Sequence, residues 1–110
     1  MIFVTGPLYA GKKSYIQNRL GLDDTAFAAC AIWDVQERVP CADLVRLADR
    51  LAEKRVVIAT EVGGGVVPID AAEREKREQA GRLACLLGAR ADTVIRVCCG
   101  LPQLLKGEWP

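Results

Sequence analysis

The chain has 110 residues, 51% of them hydrophobic, with 15 basic and 14 acidic side chains and a formal net charge of +1. One domain over residues 1–110 with a single modest core is expected, with little room for extra catalytic modules. The near-balanced charge supplies no global field to draw the chain onto DNA, RNA or an anionic membrane, so neither nucleic acid nor membrane is an expected partner.

Met1 to Thr5 is a short apolar run that reads as a strand, and it enters the glycine loop "GPLYAGKKS". Lys12 to Leu20 follows as a helix, with Tyr15, Ile16 and Leu20 at helical spacing. Gly21 to Thr25 reads as a polar turn, and Ala26 to Trp33 as a buried strand closed by Asp34. Leu44, Leu47, Ala48 and Leu51 predict an amphipathic helix from about Cys41 to Lys54, with Pro40 near its start. Val56 to Thr60 is a β-branched run of the kind covered on both faces in a parallel sheet.

Glu61 to Pro68, "EVGGGVVP", is a glycine loop. Asp70 and Glu73 have capping-box spacing and open a helix to about Leu87, whose Ala80, Leu83, Ala84 and Leu87 face inward while "EREKRE" forms a solvated face. Thr93 to Cys98 is the last predicted strand, and Leu101 to Pro110 reads as a short tail. Strands alternating with helices predict an α/β fold around a mainly parallel sheet of about four strands. Ligands bind such sheets at the carboxyl ends of the strands, the edge expected to carry Gly6 to Ser14, Asp34 and Glu61 to Pro68.

The loop after the first strand meets the phosphate-binding pattern GxxxxGK through Gly6, Gly11 and Lys12, with Pro7, Leu8, Tyr9 and Ala10 between them. Backbone N–H groups at such a strand-loop-helix junction surround an anion, and the helix dipole favours negative charge there. Gly6 permits the tight turn, Gly11 permits close backbone approach, and Lys12 reaches the β and γ phosphates. The pattern continues with a hydroxyl that holds magnesium, but this position is Lys13, and Ser14 comes one residue later. An ammonium has no lone pair for a cation, so magnesium needs Ser14, Thr5, an acidic partner or water. Asp34 reads equally as an acid that holds magnesium through water and as a helix cap or solvated turn acid.

The five cysteines, Cys30, Cys41, Cys85, Cys98 and Cys99, are odd in number and lack a CxxC spacing, which argues against a disulfide framework and a zinc site. Free, mostly buried thiols in a reducing compartment are expected. With no basic leader and no long apolar segment, a cytoplasmic location is the default expectation. The chain has no histidine, which removes the commonest general base and any phosphohistidine or nucleotidyl-histidine intermediate.

From Val56 to Gly107 the sequence resembles the bifunctional adenosylcobinamide kinase and adenosylcobinamide-phosphate guanylyltransferase family of cobalamin biosynthesis. The resemblance rests on Glu61, Val62, Gly63, Gly65, Val67 and Pro68, then Ala80, Gly81 and Arg82, then Gly100, Leu101 and Pro102, together with the N-terminal glycine loop. It implies a three-layer, RecA-like P-loop fold, a homotrimer, ATP or GTP with magnesium at Gly6 to Lys13, and phosphorylation of the adenosylcobinamide hydroxyl followed by GMP transfer. Lys12, Asp34 and Glu61 become the catalytic candidates, and Glu61, Gly63, Gly65 and Pro68 the substrate loop.

By its residues alone, that loop is either a ligand-facing segment or a simple turn. Arg82 receives a weak functional assignment, its plain reading being an arginine paired with an acid on a helix face. Family members are about half as long again, and the segment absent here carries the histidine that takes GMP. Kinase chemistry needs positioning and charge stabilisation rather than a covalent group, so it can survive that loss where guanylylation cannot. A non-catalytic nucleotide-binding or assembly subunit is the alternative.

Overall fold

The computed structural model describes residues 1–62 and 70–110. Gly63, Gly65 and Pro68 of the expected substrate loop lie outside the described residues. The elements are β1 (Ile2–Gly6), α1 (Lys12–Leu20), α2 (Asp24–Cys30), β2 (Ala31–Ile32), a 3-10 turn at Val35–Arg38, α3 (Leu44–Leu51), β3 (Val56–Thr60), α4 (Ala71–Arg90), β4 (Thr93–Cys98) and β5 (Leu101–Lys106).

Among the described residues the sheet has five strands in the order β2-β3-β1-β4-β5. Strands β1 to β4 run parallel, in register from Ile2 beside Val56 and Thr93. β5 returns antiparallel to β4. Alternate residues of the central strands feed two separate cores, as the period of two requires. On one face Phe3, Val57, Ala59 and Val94 pack with Ala48 and Leu51 of α3 and Leu83 and Leu87 of α4. On the other, Val4, Val56, Ile58, Ile95 and Val97 pack with Ile16 of α1 and Phe27 of α2. This is the three-layer α/β arrangement expected.

The run read as one strand from Ala26 to Trp33 is mostly helix. Asp23, expected in a turn, caps α2 by accepting from the Ala26 N–H at 2.7 Å, and only Ala31 and Ile32 pair with β3. Small alanines fit a short helix that buries Phe27 alone, which is why an apolar run misleads here. The expected tail from Leu101 is instead β5, an edge strand whose Pro102 is tolerated in that position.

α3 is shorter than its predicted span because Asp43, accepting from the Arg46 N–H at 3.1 Å, starts it after Pro40 and Cys41. α4 begins as expected at Asp70, which accepts from the Ala72 N–H at 2.9 Å, and runs on to Arg90. No cysteine is fully buried: Cys30, Cys41 and Cys98 are half-buried and Cys85 and Cys99 exposed, since Cys30 and Cys98 end α2 and β4, Cys41 lies in the segment before α3, Cys85 is on α4 and Cys99 is in the β4–β5 turn. No helix among the described residues is long and apolar enough to cross a membrane.

Candidate nucleotide site

The glycine loop leaves the carboxyl end of β1 in the middle of the sheet, and it is fixed from both sides. Gly6 has φ +154°, and a Cβ there would lie 2.1 Å from the Val97 carbonyl oxygen of β4. The first glycine of the motif therefore serves a close approach between strands as well as a turn. Across the sheet, the Glu61 N–H donates to the Gly6 carbonyl at 2.8 Å. At the loop's far end, the Gly100 N–H donates to the Ala10 carbonyl at 2.8 Å. Cys99 and Gly100 form the two-residue link between β4 and β5, both at positive φ, as a tight hairpin of this length demands. The hairpin read from sequence as a tail thus buttresses the loop.

Gly11, at φ +84°, begins α1 without a side-chain cap, and the first turn of the helix lines the cleft through Gly11, Lys12, Lys13 and Ser14. Lys12 is 8% exposed and its Nζ donates to the Pro7 carbonyl at 2.7 Å, folding the ammonium back over the loop. Burial lowers its pKa from the ordinary lysine value, while the negative charges of Asp34 and Glu61 partly offset that shift. An ammonium so desolvated gains from a phosphate brought beside it.

A cleft of about 370 Å³ opens over this loop, with Gly11, Lys12, Lys13, Ser14, Trp33 and Asp34 in its wall. Asp34 follows β2 at φ +56° and makes no capping bond to the 3-10 turn behind it, so its carboxylate is left for the cleft. Lys13 does not point into empty solvent: its Nζ stands 3.9 Å from the centroid of the Trp33 ring. Trp33 in turn stacks on Phe27, with centroids 5.8 Å apart and planes at 15°. Sequence reasoning missed Trp33, whose only signal was an aromatic residue beside Asp34 at a strand end.

Glu61 belongs to the opposite side of the same edge. It lines a second cleft of about 150 Å³ with Thr5, Gln36, Val62, Ala80 and Gly81, so the "EV" and "AG" halves of the motif pair meet across it. Its carboxylate takes two bonds from Arg96 of β4, at 2.6 and 3.0 Å. That pairing, with further help from the Lys12 charge, holds the Glu61 carboxyl below its usual pKa. It also raises Arg96. Gln36 completes the edge by accepting from the Thr60 N–H at 2.9 Å. Arg96 was not among the expected site residues, because a lone arginine inside a strand carries no local signal. Arg82 is exposed on α4 and, contrary to the plain reading, pairs with no acid among the described residues.

The residues present suit an anion in the phosphate cleft better than a divalent cation. Among the described residues its charged side chains are the ammonium groups of Lys12 and Lys13 against the carboxylate of Asp34, its other side-chain oxygens include the Ser14 and Thr60 hydroxyls, and Glu61 is already chelated by Arg96 outside it. No group of three acidic or cysteine ligands is assembled among the described residues. The donors fit an anion, which needs N–H groups and ammonium charge.

A glycine loop between the central strand and the first helix of a mainly parallel, three-layer α/β sheet defines a P-loop protein. The family model for cobinamide kinase / cobinamide phosphate guanyltransferase matches residues 26–105, well over half of the chain, and the chain belongs to that family. This places it in cobalamin biosynthesis. The matched stretch begins within α2, after the glycine loop. No curated protein matches the chain.

Proposed function

We propose that this protein is a cobinamide kinase that takes ATP or GTP at Gly6 to Ser14 and phosphorylates the corrinoid hydroxyl. The observation that carries the reading is the buried Lys12 ammonium held over the glycine loop in a cleft shared with Asp34. In the transfer, the bond from the γ-phosphorus to the leaving diphosphate breaks and a bond to the substrate oxygen forms. The hydroxyl proton passes to the Asp34 carboxylate, and the nucleoside diphosphate leaves. Lys12 stabilises the charge on the transferring group. Glu61, oriented by Arg96, borders the second cleft and is assigned to positioning the corrinoid beside the loop. Without a histidine, the chain has no acceptor for a covalent GMP, so guanylyl transfer is not part of the proposal.

Incubation with cobinamide and ATP or GTP labelled in the γ-phosphate should give labelled corrinoid. Lys12→Ala should lower that rate by about a hundredfold or more. A second reading, a nucleotide-binding subunit without catalysis, is favoured by Lys13 standing on Trp33 where the pattern places a hydroxyl. Nucleotide bound in calorimetry with no labelled corrinoid would select it over the kinase. Absence of binding would dismiss both.

A further inference from the structure

We infer that the cleft binds its nucleotide without a divalent cation, Lys13 supplying the positive charge that the metal ordinarily brings. The inference rests on the nucleotide reading above and concerns how the same cleft neutralises the phosphates. Magnesium in a P-loop is held through the hydroxyl that follows the lysine, bridges the β and γ oxygens, and offsets their charge. Here that position is an ammonium, which can contact phosphate oxygens directly but cannot ligate a metal.

The surroundings agree with a direct role. Lys12 and Lys13 line one cleft with Gly11 and Ser14, and among the described residues of its wall one carboxylate, Asp34, opposes them. With Lys12 and Lys13 outweighing Asp34, the cleft is net positive, which opposes a free magnesium ion and favours a triphosphate. Lys13 has a defined resting place, 3.9 Å from the centroid of the Trp33 ring, in the wall of that cleft. An ammonium held by a partly exposed indole is weakly bound, and a charge-assisted contact to phosphate is the stronger partner. Nucleotide therefore draws Lys13 from the ring to the phosphates, while Phe27 keeps the indole in place beneath.

Trp33 makes the movement measurable. Trp109, the other tryptophan of the chain, lies at the far terminus and is replaced as Trp109→Phe so that Trp33 alone emits. Fluorescence titrations with ATP and with GTP are run in excess EDTA and in excess magnesium, on this background and on Lys13→Ser in it. The background protein should bind with affinities within about threefold in the two conditions. Lys13→Ser, which restores the hydroxyl, should bind about tenfold or more weaker in EDTA and recover in magnesium. Lys13 is exposed, so its loss should leave the fold intact, as far-UV circular dichroism will verify. Binding that requires magnesium in the background protein, or that survives Lys13→Ser unchanged in EDTA, overturns the inference while leaving the nucleotide reading in place. No binding of either nucleotide under any condition, by fluorescence or calorimetry, overturns both.

Discussion

Gly6 carries two demands that no other residue type meets together. Its φ of +154° is disfavoured for any side chain, and a methyl group would lie 2.1 Å from the Val97 carbonyl, a backbone atom that cannot swing away. Gly6→Ala should therefore cost roughly 2–4 kcal/mol, either by parting β1 from β4 or by distorting the loop. Gly88, inside α4 with nothing within 4 Å of its missing Cβ, is the contrast. Gly88→Ala should stabilise by up to about 1 kcal/mol through helix propensity. Equilibrium urea unfolding of both variants tests the pair, and equal midpoints would show that the Val97 contact is not what fixes Gly6. At this scale the sequence disclosed the loop glycines, because their motif is local. The Val97 contact and the Arg96 to Glu61 chelate were not legible, since each joins residues far apart in the chain that only the parallel sheet brings together.

Among the elements, legibility followed periodicity. β3 and β4 are rich in Val, Ile and Thr, α4 is long, and α1 follows a motif that requires a helix, so each appears where its pattern places it. α2 failed for a definite reason: it is 7 residues long, with Ala26, Ala28 and Ala29 around its one buried side chain, Phe27, too short for a helical period to declare itself. β5 failed because Leu101, Leu104 and Leu105 do not alternate cleanly and Pro102 interrupts them, features that only an edge strand permits. Capping is what secures α2, through the Asp23 carboxylate on the Ala26 N–H at 2.7 Å. Asp23→Ala should destabilise the protein by about 1 kcal/mol. Because α2 seats Phe27 under Trp33, it should also shift the Trp33 emission in the Trp109→Phe background. Lost stability with unchanged emission would mean that the indole is held by Lys13 and the cleft wall rather than by α2.

The molecule as a whole places two cores on one sheet, and the same three strands build both. Phe3 faces α3 and α4 while its neighbour Val4 faces α1 and α2. Val57 and Ala59 oppose Val56 and Ile58 in the same way, as Val94 opposes Ile95 and Val97. Neither face can lose its packing without exposing strands on which the other depends, so we expect residues 1–110 to unfold as one cooperative unit. Two probes separate the faces. Trp33, stacked on Phe27 and read in the Trp109→Phe background, reports the α1 and α2 side, whereas far-UV circular dichroism is weighted to the other side by α4 with 20 residues and α3 with 8, against 9 in α1 and 7 in α2. Their urea transitions should coincide in midpoint and steepness. Saturating nucleotide should move both curves together, because a ligand that binds only the folded chain stabilises the whole cooperative unit by mass action. Midpoints that separate, or a nucleotide shift confined to the Trp33 curve, would show that the phosphate-loop face melts independently and that the sheet does not couple the two cores.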